Sequence, residues 1–398
     1  MKKLIRIFFV SLVTLSLVAC GAKENGGDAE VINLKVWGSQ DDQQLLAELV
    51  EEFKEANSDK EFNIELGVVA EPDASDQVLG DLETAADVFA FPNDQLRDLV
   101  GAGALYEITL NKDKIIEEQM EGAIDAVMLD DKMYGIPFTA DNGYFLYYDA
   151  NFFSEDDVKS LDTMLEKAEA EGKQVFMDVS NGWYIASFFL GAGNTIEIDE
   201  DGKQVVDFNN DIGVKVGEYI RDFTASKAFL TGDDDIMMSA ANDGKVVAAV
   251  SGAWKADEFR EAYGDGYAAT KLPEIDLDGE KVQMASFAGY KVYGISSATK
   301  HPEEAMALAE FLANEENQVK RFKARSLGPS NLKAAESDEV KENIALSALA
   351  QQGVFAHSQK DVLGSYWEPA EAFGEELENG YSGDIKELLD EMVRQIME

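Results

Sequence analysis

Four tryptophans are the residues in this chain whose type and placement point most clearly to binding chemistry. Each is predicted at a strand-to-helix turn or a loop break, beside small or polar neighbours: Trp37, Trp183, Trp254 and Trp367. One such tryptophan is more often a core residue than a binding residue. Rings at loop tips offer flat apolar faces and polar edges, which suit a sugar whose C–H faces stack and whose hydroxyls hydrogen-bond to acids and amides. The four together favour carbohydrate binding.

Catalytic and metal chemistry have little support in the sequence. The two histidines, His301 and His357, have no metal-ligand spacing to a partner, and no H-E-x-x-H is present. Neither a G-x-S-x-G nucleophile motif nor a glycine-rich phosphate loop occurs. We expect no catalytic residue, no metal and no cofactor. A glycoside hydrolase stays open as an alternative, because 78 acidic residues leave room for a carboxylate pair.

The first 30 residues indicate export. A basic start (Lys2, Lys3, Arg6) precedes an apolar run that is too short to span a membrane comfortably, which predicts a signal peptide over residues 1–19. The run ends at Leu-Val-Ala-Cys20, which resembles a bacterial lipobox and implies lipidation of Cys20. Residues 20–30 then form the lipidated cysteine and a flexible tether. A conventional signal peptide with a stray thiol is the alternative.

Length and charge limit the architecture and the partners. A chain of 398 residues exceeds what one hydrophobic core normally serves, so two lobes are expected. The formal net charge of −44 repels nucleic acid and anionic lipid. We therefore expect no nucleic-acid partner, and contact with the membrane through the lipid anchor only.

The elements that must position the candidate residues begin with a β-α-β unit. Alternation over residues 32–36 predicts a strand ending at Trp37, and apolar residues at helical spacing from Leu45 to Phe53 predict a helix. A second strand over residues 62–69 implies a right-handed crossover and a parallel sheet. Ligands bind beyond the carboxyl ends of such strands, which is where Trp37 and Asp41 lie.

The stretch from Tyr134 to Tyr148 resembles a buried strand that carries one acid, Asp141. Pro137 and Gly143 argue against a single uninterrupted strand. The pattern suggests a segment that leaves one packed body and enters another, with Asp141 at the crossing. An ordinary hairpin within one sheet is the alternative.

Several passages, in this order, resemble extracellular solute-binding proteins of ABC importers, the family that includes maltose- and maltodextrin-binding proteins. The passages are Leu-Lys-Val-Trp37, Ala86-Asp-Val-Phe-Ala-Phe91, Gly101-Ala-Gly-Ala-Leu105, Tyr134-Gly-Ile-Pro137, Leu146-Tyr-Tyr-Asp149, Ser251-Gly-Ala-Trp254, Gly289 to Ile295, 302–312 and Tyr366-Trp367. The resemblance implies an α/β, two-lobed periplasmic-binding-protein-like fold (type II, maltose-binding-protein-like) with a hinge. It implies crossings near 139–144, 287–293 and 331–336, which separate an N-terminal lobe (31–139 plus 290–332) from a C-terminal lobe (144–286 plus 336–398).

The resemblance also implies the ligand contacts. Its sugar-contacting rings fall on Trp37, Phe91, Trp183, Trp254 and Trp367, and its polar contacts fall on Asp41, Asp94, Gln95 and Asp141. Two departures each remove a cationic donor: Asp42 stands where relatives that bind maltose often have lysine, and Gln95 where they have arginine. These departures leave contact detail and preferred chain length open.

The implied function is that of a lipid-anchored, monomeric, non-enzymatic binding subunit on the extracellular face of the cell membrane. It would deliver a malto-oligosaccharide to ABC permease subunits coupled to a cytoplasmic ATPase. Another oligosaccharide, such as a galacto- or xylo-oligosaccharide, is the alternative within the class. A glycoside hydrolase or a surface adhesin are the alternatives outside it.

Overall fold

The computed structural model describes residues 31–199 and 201–398, in which strands and helices alternate. The predicted signal peptide, Cys20 and tether lie outside these residues. The strands are β1 Val31–Gly38, β2 Glu61–Val68, β3 Val88–Pro92, β4 Met128–Leu129, β5 Lys132–Met133, β6 Ile136–Asp149, β7 Gln174–Phe176, β8 Ile196–Ile198, β9 Gln204–Val206, β10 Phe229–Leu230, β11 Val246–Gly252, β12 Tyr267–Thr270, β13 Glu274–Leu277, β14 Glu280–Gln283, β15 Ser286–Ile295 and β16 Ala356–Ser358.

The helices of the described residues surround these strands. They are α1 Gln43–Ala56, α2 Ala74–Gly80, α3 Leu96–Gly101, α4 Lys112–Glu118, α5 Glu121–Asp125, α6 Leu161–Ala170, α7 Gly182–Gly191, α8 Asp211–Thr224, α9 Asp234–Asn242, α10 Ala256–Tyr263, α11 Pro302–Leu312, α12 Glu315–Arg325, α13 Leu332–Ala335, α14 Asp338–Lys341, α15 Ile344–Gly353, α16 Trp367–Glu378 and α17 Ile385–Ile396. Within the described ranges, none combines the length and apolar character that a bilayer span needs.

One ten-stranded sheet runs through the molecule, in the order β10-β7-β11-β6-β15-β3-β1-β2, with β12 added to β6 and β16 added to β15. The predicted β-α-β opening is confirmed: β1 and β2 pair in parallel over their full length. The apolar residues that predicted α1 are buried, Leu45 and Phe53 among them. The hydrophobic pattern alone was enough to specify this unit.

The buried apolar residues separate into cores that each draw on distant parts of the chain. One core uses residues 32–138 and 292–313, and we call the body around it the N-terminal lobe. Two further clusters use residues 144–287 and 345–396, and we call the body around them the C-terminal lobe. The N-terminal core is therefore completed by residues 292–313, which come after the first segment of the C-terminal lobe. The C-terminal core is completed by residues 345–396, which come after the second segment of the N-terminal lobe.

β6 joins the two lobes and corrects the expectation of an interrupted strand. It is one strand of 14 residues in spite of Pro137 and Gly143. Pro137 lies where the register with β15 shifts, so its missing N–H falls at an irregular point of the ladder. Gly143 is needed for close packing, because a Cβ there would lie 2.9 Å from a Leu349 methyl carbon. The residues that predicted a break instead allow one strand to pass between lobes.

β6 changes partners along its length, and this change marks the crossing. Residues 136–143 pair with β15, whereas residues 144–148 pair with β11. The change falls inside the predicted crossing at 139–144. A third segment lies beside it, since the Ala140 amide donates to the Gly328 carbonyl at 2.8 Å.

Candidate ligand-binding site

Trp183 and Trp254 meet at the surface of the C-terminal lobe. Trp183 is the second residue of α7, where the Asn181 side chain caps the helix by accepting a hydrogen bond from the Trp183 amide at 3.0 Å. Trp254 lies in the short 3-10 turn that follows β11. Their ring centroids are 6.0 Å apart and their planes are tilted by 35°. Both rings are half-buried, so they pack together and still have exposed surface.

Trp367 begins α16, next to the start of α7. The two helix starts touch closely, because a Cβ on Gly182 would lie 3.2 Å from the Trp367 carbonyl oxygen. The Trp367 ring packs edge-on against Tyr366 and Phe287, at 5.0 and 6.0 Å between centroids. Three of the four predicted tryptophans thus lie on one lobe, on the turns where strands or loops lead into helices.

Trp37 lies apart from that group, in the N-terminal lobe. It is the penultimate residue of β1 and packs partly against the N-terminal core. Its ring covers Gly67 on the neighbouring strand, where a Cβ would lie 2.6 Å from the indole Cδ1. Trp37 makes no ring contact with the other three tryptophans among the described residues.

The Gln359 side chain connects the two lobes. Its Nε2 donates a hydrogen bond of 2.7 Å to Asp94 Oδ1, on the N-terminal lobe. Its Oε1 accepts a hydrogen bond of 3.1 Å from Trp183 Nε1, on the C-terminal lobe. One buried amide therefore brings together an acid and an indole that the sequence placed 89 residues apart (183 minus 94).

Asp94 is a weakly acidic carboxyl in this setting. Burial raises its pKa to about 7, and hydrogen bonds from its own backbone and from Gln359 only partly oppose that rise. Near neutral pH the side chain is divided between the carboxylate, which accepts hydrogen bonds, and the acid, which can donate one. Both forms can hydrogen-bond to a hydroxyl group.

A second polar group lies beside Trp254. Lys291 Nζ, on β15, is 5.4 Å from the Trp254 ring centroid and 3.9 Å from Glu71 Oε1. The Lys291 and Glu71 side chains are only 12% and 10% exposed. At that separation the pair is ionic but not hydrogen-bonded. The ammonium makes no hydrogen bond with the described residues, so its donors are free for a ligand.

Asp141 is buried at the crossing in β6. Its Oδ2 accepts a hydrogen bond of 2.7 Å from the Gly328 amide, while its Oδ1 is buried and has no partner among the described residues. Burial raises the pKa of Asp141, and the positive charge of Lys291 partly offsets this. An unsatisfied buried carboxylate oxygen is costly, and a ligand hydroxyl would satisfy it.

Two of the predicted contacts are used within the protein. The Phe91 ring is fully buried in the N-terminal core, 5.5 Å from the Phe89 ring, and has no face open to a ligand. Gln95 holds the loop after β2: its amide donates to the Pro72 carbonyl at 2.6 Å and accepts from the Ser75 amide at 3.0 Å. Gln95 therefore supports the loop that carries Glu71.

The acids after β1 face arginines of α12. Asp42 is buried and accepts hydrogen bonds of 2.8 Å from Arg321 and 2.7 Å from Arg325. Asp41 is exposed and pairs with Arg325 at 3.3 Å. Asp42 is therefore an internal ion-pair residue whose carboxylate binds two guanidinium groups.

Residues 48–348, well over half of the chain, match the family described as bacterial extracellular solute-binding proteins. The chain belongs to this family.

Two curated relatives match this solute-binding protein over nearly their whole length. The galactooligosaccharide-binding protein of Bacillus subtilis (strain 168) is 28% identical, over 98% of this chain and 95% of the relative. A maltooligosaccharide ABC transporter solute-binding lipoprotein of Streptococcus pneumoniae (strain ATCC BAA-255 / R6) is 24% identical, over 91% and 88%.

Solved structures agree on the fold. A complex with acarbose has a TM-score of 0.86 and 31% identity, covering 92% of this chain and 99% of that one. The ligand-free maltodextrin-binding protein MalE1 of L. casei BL23 has a TM-score of 0.78 and 21% identity, covering 92% and 99%. The predicted α/β, two-lobed periplasmic-binding fold is confirmed.

Three residues of the candidate site were not predicted from the sequence. Lys291 had a usable signal, because it is the only charged residue in the aromatic and apolar strand β15. Glu71 and Gln359 had none, since Glu71 is one acid among many and Gln359 follows a polar segment. Their importance depends on contacts between distant parts of the chain.

Proposed function

We propose that this chain is the substrate-binding lipoprotein of an ABC sugar importer and binds malto-oligosaccharides between its two lobes. The observation that carries the proposal is the Asp94–Gln359–Trp183 connection, which places an acid and an indole of opposite lobes at one point. Sugars need such a combination of ring faces and hydrogen-bonding groups. The Streptococcus pneumoniae relative, named for maltooligosaccharides, supports this reading.

The proposed contacts divide by chemistry. Trp183, Trp254 and Trp367 would stack on sugar faces, and Asp94 and Asp141 would hydrogen-bond to hydroxyls. Trp37 and Asp41 remain proposed contacts beyond the end of β1. We keep 31–139 with 290–332 and 144–286 with 336–398 as the proposed lobe limits. Gln95 is proposed to act only by holding the loop that carries Glu71, and Phe91 only as a core residue of the N-terminal lobe.

The proposed mechanism is closure about the crossing strands. A ligand held by both lobes makes more contacts in the closed form than in the open form, so its binding shifts the population toward closure. The permease would then recognise the closed form. No bond of the sugar is broken in this scheme, so we propose that the chain is not an enzyme.

A galacto-oligosaccharide is the second candidate ligand. It is favoured by the Bacillus subtilis relative, which is named for galactooligosaccharides and is more similar in sequence than the Streptococcus pneumoniae one, at 28% against 24% identity. Both ligand classes are neutral chains of hexoses, which the same rings and acids can bind.

Isothermal titration calorimetry of the purified chain, without its first 30 residues, decides between these ligands. The panel is maltose, maltotriose, maltotetraose, β-1,4-galactotetraose and xylotetraose. Binding of the malto-series with intact sugar recovered supports the proposal, and binding of galactotetraose alone supports the second candidate. Release of reducing ends from maltotetraose would instead indicate a hydrolase. No response to any sugar would overturn the proposal.

The lipid anchor is tested separately. We propose that Cys20 carries it, with the protein outside the membrane as a monomer. A Cys20→Ser variant expressed in the native host should move from the membrane fraction to the culture medium or periplasm. Retention of that variant in the membrane fraction would contradict an anchor at Cys20.

A further inference from the structure

Gln359 is held in place by contacts within the protein itself. It follows β16 and is 1% exposed. Its backbone amide donates to the Ala288 carbonyl at 3.2 Å, and its carbonyl accepts from the Val362 amide at 3.1 Å. The side chain packs over Gly289, where a Cβ would lie 2.5 Å from Gln359 Cδ. Such contacts leave the amide little freedom to turn away.

The two partners allow only one orientation of this amide. Trp183 Nε1–H can only donate, so it requires the amide oxygen. The Asp94 carboxylate can only accept, so it requires the amide nitrogen. The assignment of oxygen and nitrogen therefore follows from the partners themselves.

We propose that Gln359 is a positioning residue of the binding site, whose amide fixes the Asp94 carboxyl group and the Trp183 indole in one geometry across the two lobes. The role as part of a sugar site rests on the proposed function, whereas the coupling of Asp94 to Trp183 does not. Because both groups are oriented before the ligand arrives, binding would not have to order them. Gln359 acts on the ligand through these two residues.

The charged groups around Asp94 are few and mostly paired. Asp98, one helical turn along from Asp94, is exposed and raises the pKa of Asp94 slightly. On the facing segment, Lys360 pairs with Asp125 at 3.0 Å and Asp361 pairs with Arg97 at 2.9 Å. The group in direct contact with Asp94 on that segment is therefore the neutral amide of Gln359.

Two substitutions of nearly equal size separate positioning from simple packing. Gln359→Met keeps the volume but removes both hydrogen bonds, so the pKa of Asp94 should rise further. Gln359→Glu keeps the shape but places a second carboxyl group next to Asp94. Two carboxylates this close cannot both ionise easily, so they must share a proton. Circular dichroism and thermal melting check that both variants fold.

The first experiment needs no sugar. Each tryptophan gives one indole N–H signal in a ¹⁵N–¹H NMR spectrum, and Trp183→Phe assigns the signal of Trp183. In the wild type this signal should titrate with Asp94, with a midpoint near pH 7, and Asp94→Asn should abolish the titration. Gln359→Met should displace the signal and remove its pH dependence. A Trp183 signal that titrates identically in wild type and Gln359→Met would overturn the proposal.

The second experiment measures affinity for maltotetraose and β-1,4-galactotetraose by calorimetry at pH 7 and pH 10. For whichever sugar binds, Gln359→Glu should weaken binding roughly tenfold or more at pH 10, where the pair has lost its shared proton, and far less at pH 7, where that proton restores the contact. Gln359→Met should weaken binding at both values. Equal losses for Gln359→Glu at both pH values would overturn the positioning role. If neither sugar binds, the proposed function fails while the NMR experiment still decides the coupling.

Discussion

Arg321 Nη1 donates a hydrogen bond of 2.8 Å to Asp42 Oδ2, and both side chains are almost completely buried. The two residues are 279 positions apart, so the bond ties the first segment of the N-terminal lobe to α12 in that lobe's second segment. Arg321 Nη2 also donates to the Tyr293 hydroxyl at 2.8 Å, and its guanidinium lies 4.7 Å from the centre of the Phe138 ring. The contact thus joins β6, β15, α12 and the turn before α1.

Arg321→Met should destabilise the protein strongly. The substitution leaves Asp42 buried with Arg325 as its only cation, and breaking a buried pair in this way typically costs about 3–5 kcal/mol. The midpoint of urea unfolding should fall accordingly. Lys320→Met is the matched control, since Lys320 is partly exposed and pairs with Glu52 at the surface, where such pairs contribute about 0–1 kcal/mol. Equal effects of the two substitutions would contradict this account.

Trp254→Ala or Trp367→Ala should weaken sugar binding tenfold or more while leaving the fold intact. Each removes a large ring face that is half-buried on the C-terminal lobe, and aromatic rings dominate the energetics of such contacts. Calorimetry with the best sugar of the panel measures the loss. Phe355→Ala is the control, because Phe355 is an exposed ring that packs with Lys271 and lies in neither proposed contact set. Unchanged affinity in both tryptophan variants would count against the proposed site.

Lys291→Met should reduce sugar affinity by about tenfold, which corresponds to one charge-assisted hydrogen bond. The substitution also removes the positive charge that lowers the pKa of Asp141, so that pKa should rise further and the remaining affinity should favour higher pH. Lys291→Arg should restore part of the affinity, because it keeps the charge and the donors. Lys227→Met, at a surface lysine that is 86% exposed, serves as the neutral comparison and should bind as the wild type does.

Asp94→Asn should change how stability depends on pH. Burial raises the pKa of Asp94 from an ordinary value of 3.8 to about 7, so between these values the folded protein holds a proton that the unfolded chain has lost. This residue therefore lowers the free energy of unfolding as pH rises from about 4 to 7, and has no further effect above 7. The stability of Asp94→Asn relative to wild type should increase across that window and then level off.

Asp157→Asn should change the pH dependence of stability in the direction opposite to Asp94→Asn. A hydrogen bond from Lys167 lowers the pKa of Asp157 to about 2, so its contribution is present above about pH 4 and is lost on further acidification. The difference between this variant and wild type should be constant from pH 4 to 7. Urea titrations at several pH values give both curves, and parallel curves for the two variants would refute the assignment to Asp94.

The sequence predicted what depends on local pattern. The alternation in β1, the apolar spacing in α1 and the turns into helices at Trp183 and Trp254 are all read from neighbouring residues, and the structure has them where they were expected. The prediction of a break at Pro137 was wrong, because the register of β6 with β15 shifts at that point and an irregular ladder tolerates proline, which the sequence does not show.

What could not be predicted depends on contacts between distant segments. In the sequence, Phe91 and Phe89 cannot be distinguished from aromatic residues that contact a ligand. Only the packing in the structure shows that the Phe91 ring is buried. The sequence gives no sign that Asp42 is buried in an ion pair, but α12 places Arg321 and Arg325 around it. Gln359 is one glutamine among many until β16 pairs with β15 and brings it to Asp94 and Trp183.

The discontinuous cores also determine the order in which the chain can fold. The N-terminal core includes residues 292–313, and the C-terminal core includes residues up to 396. Neither core can therefore be complete until more than two thirds of the chain has been synthesised. Contacts of such large sequence separation form slowly because the intervening loop must first be closed. Each core can therefore collapse fully only after its second, distant segment has left the ribosome.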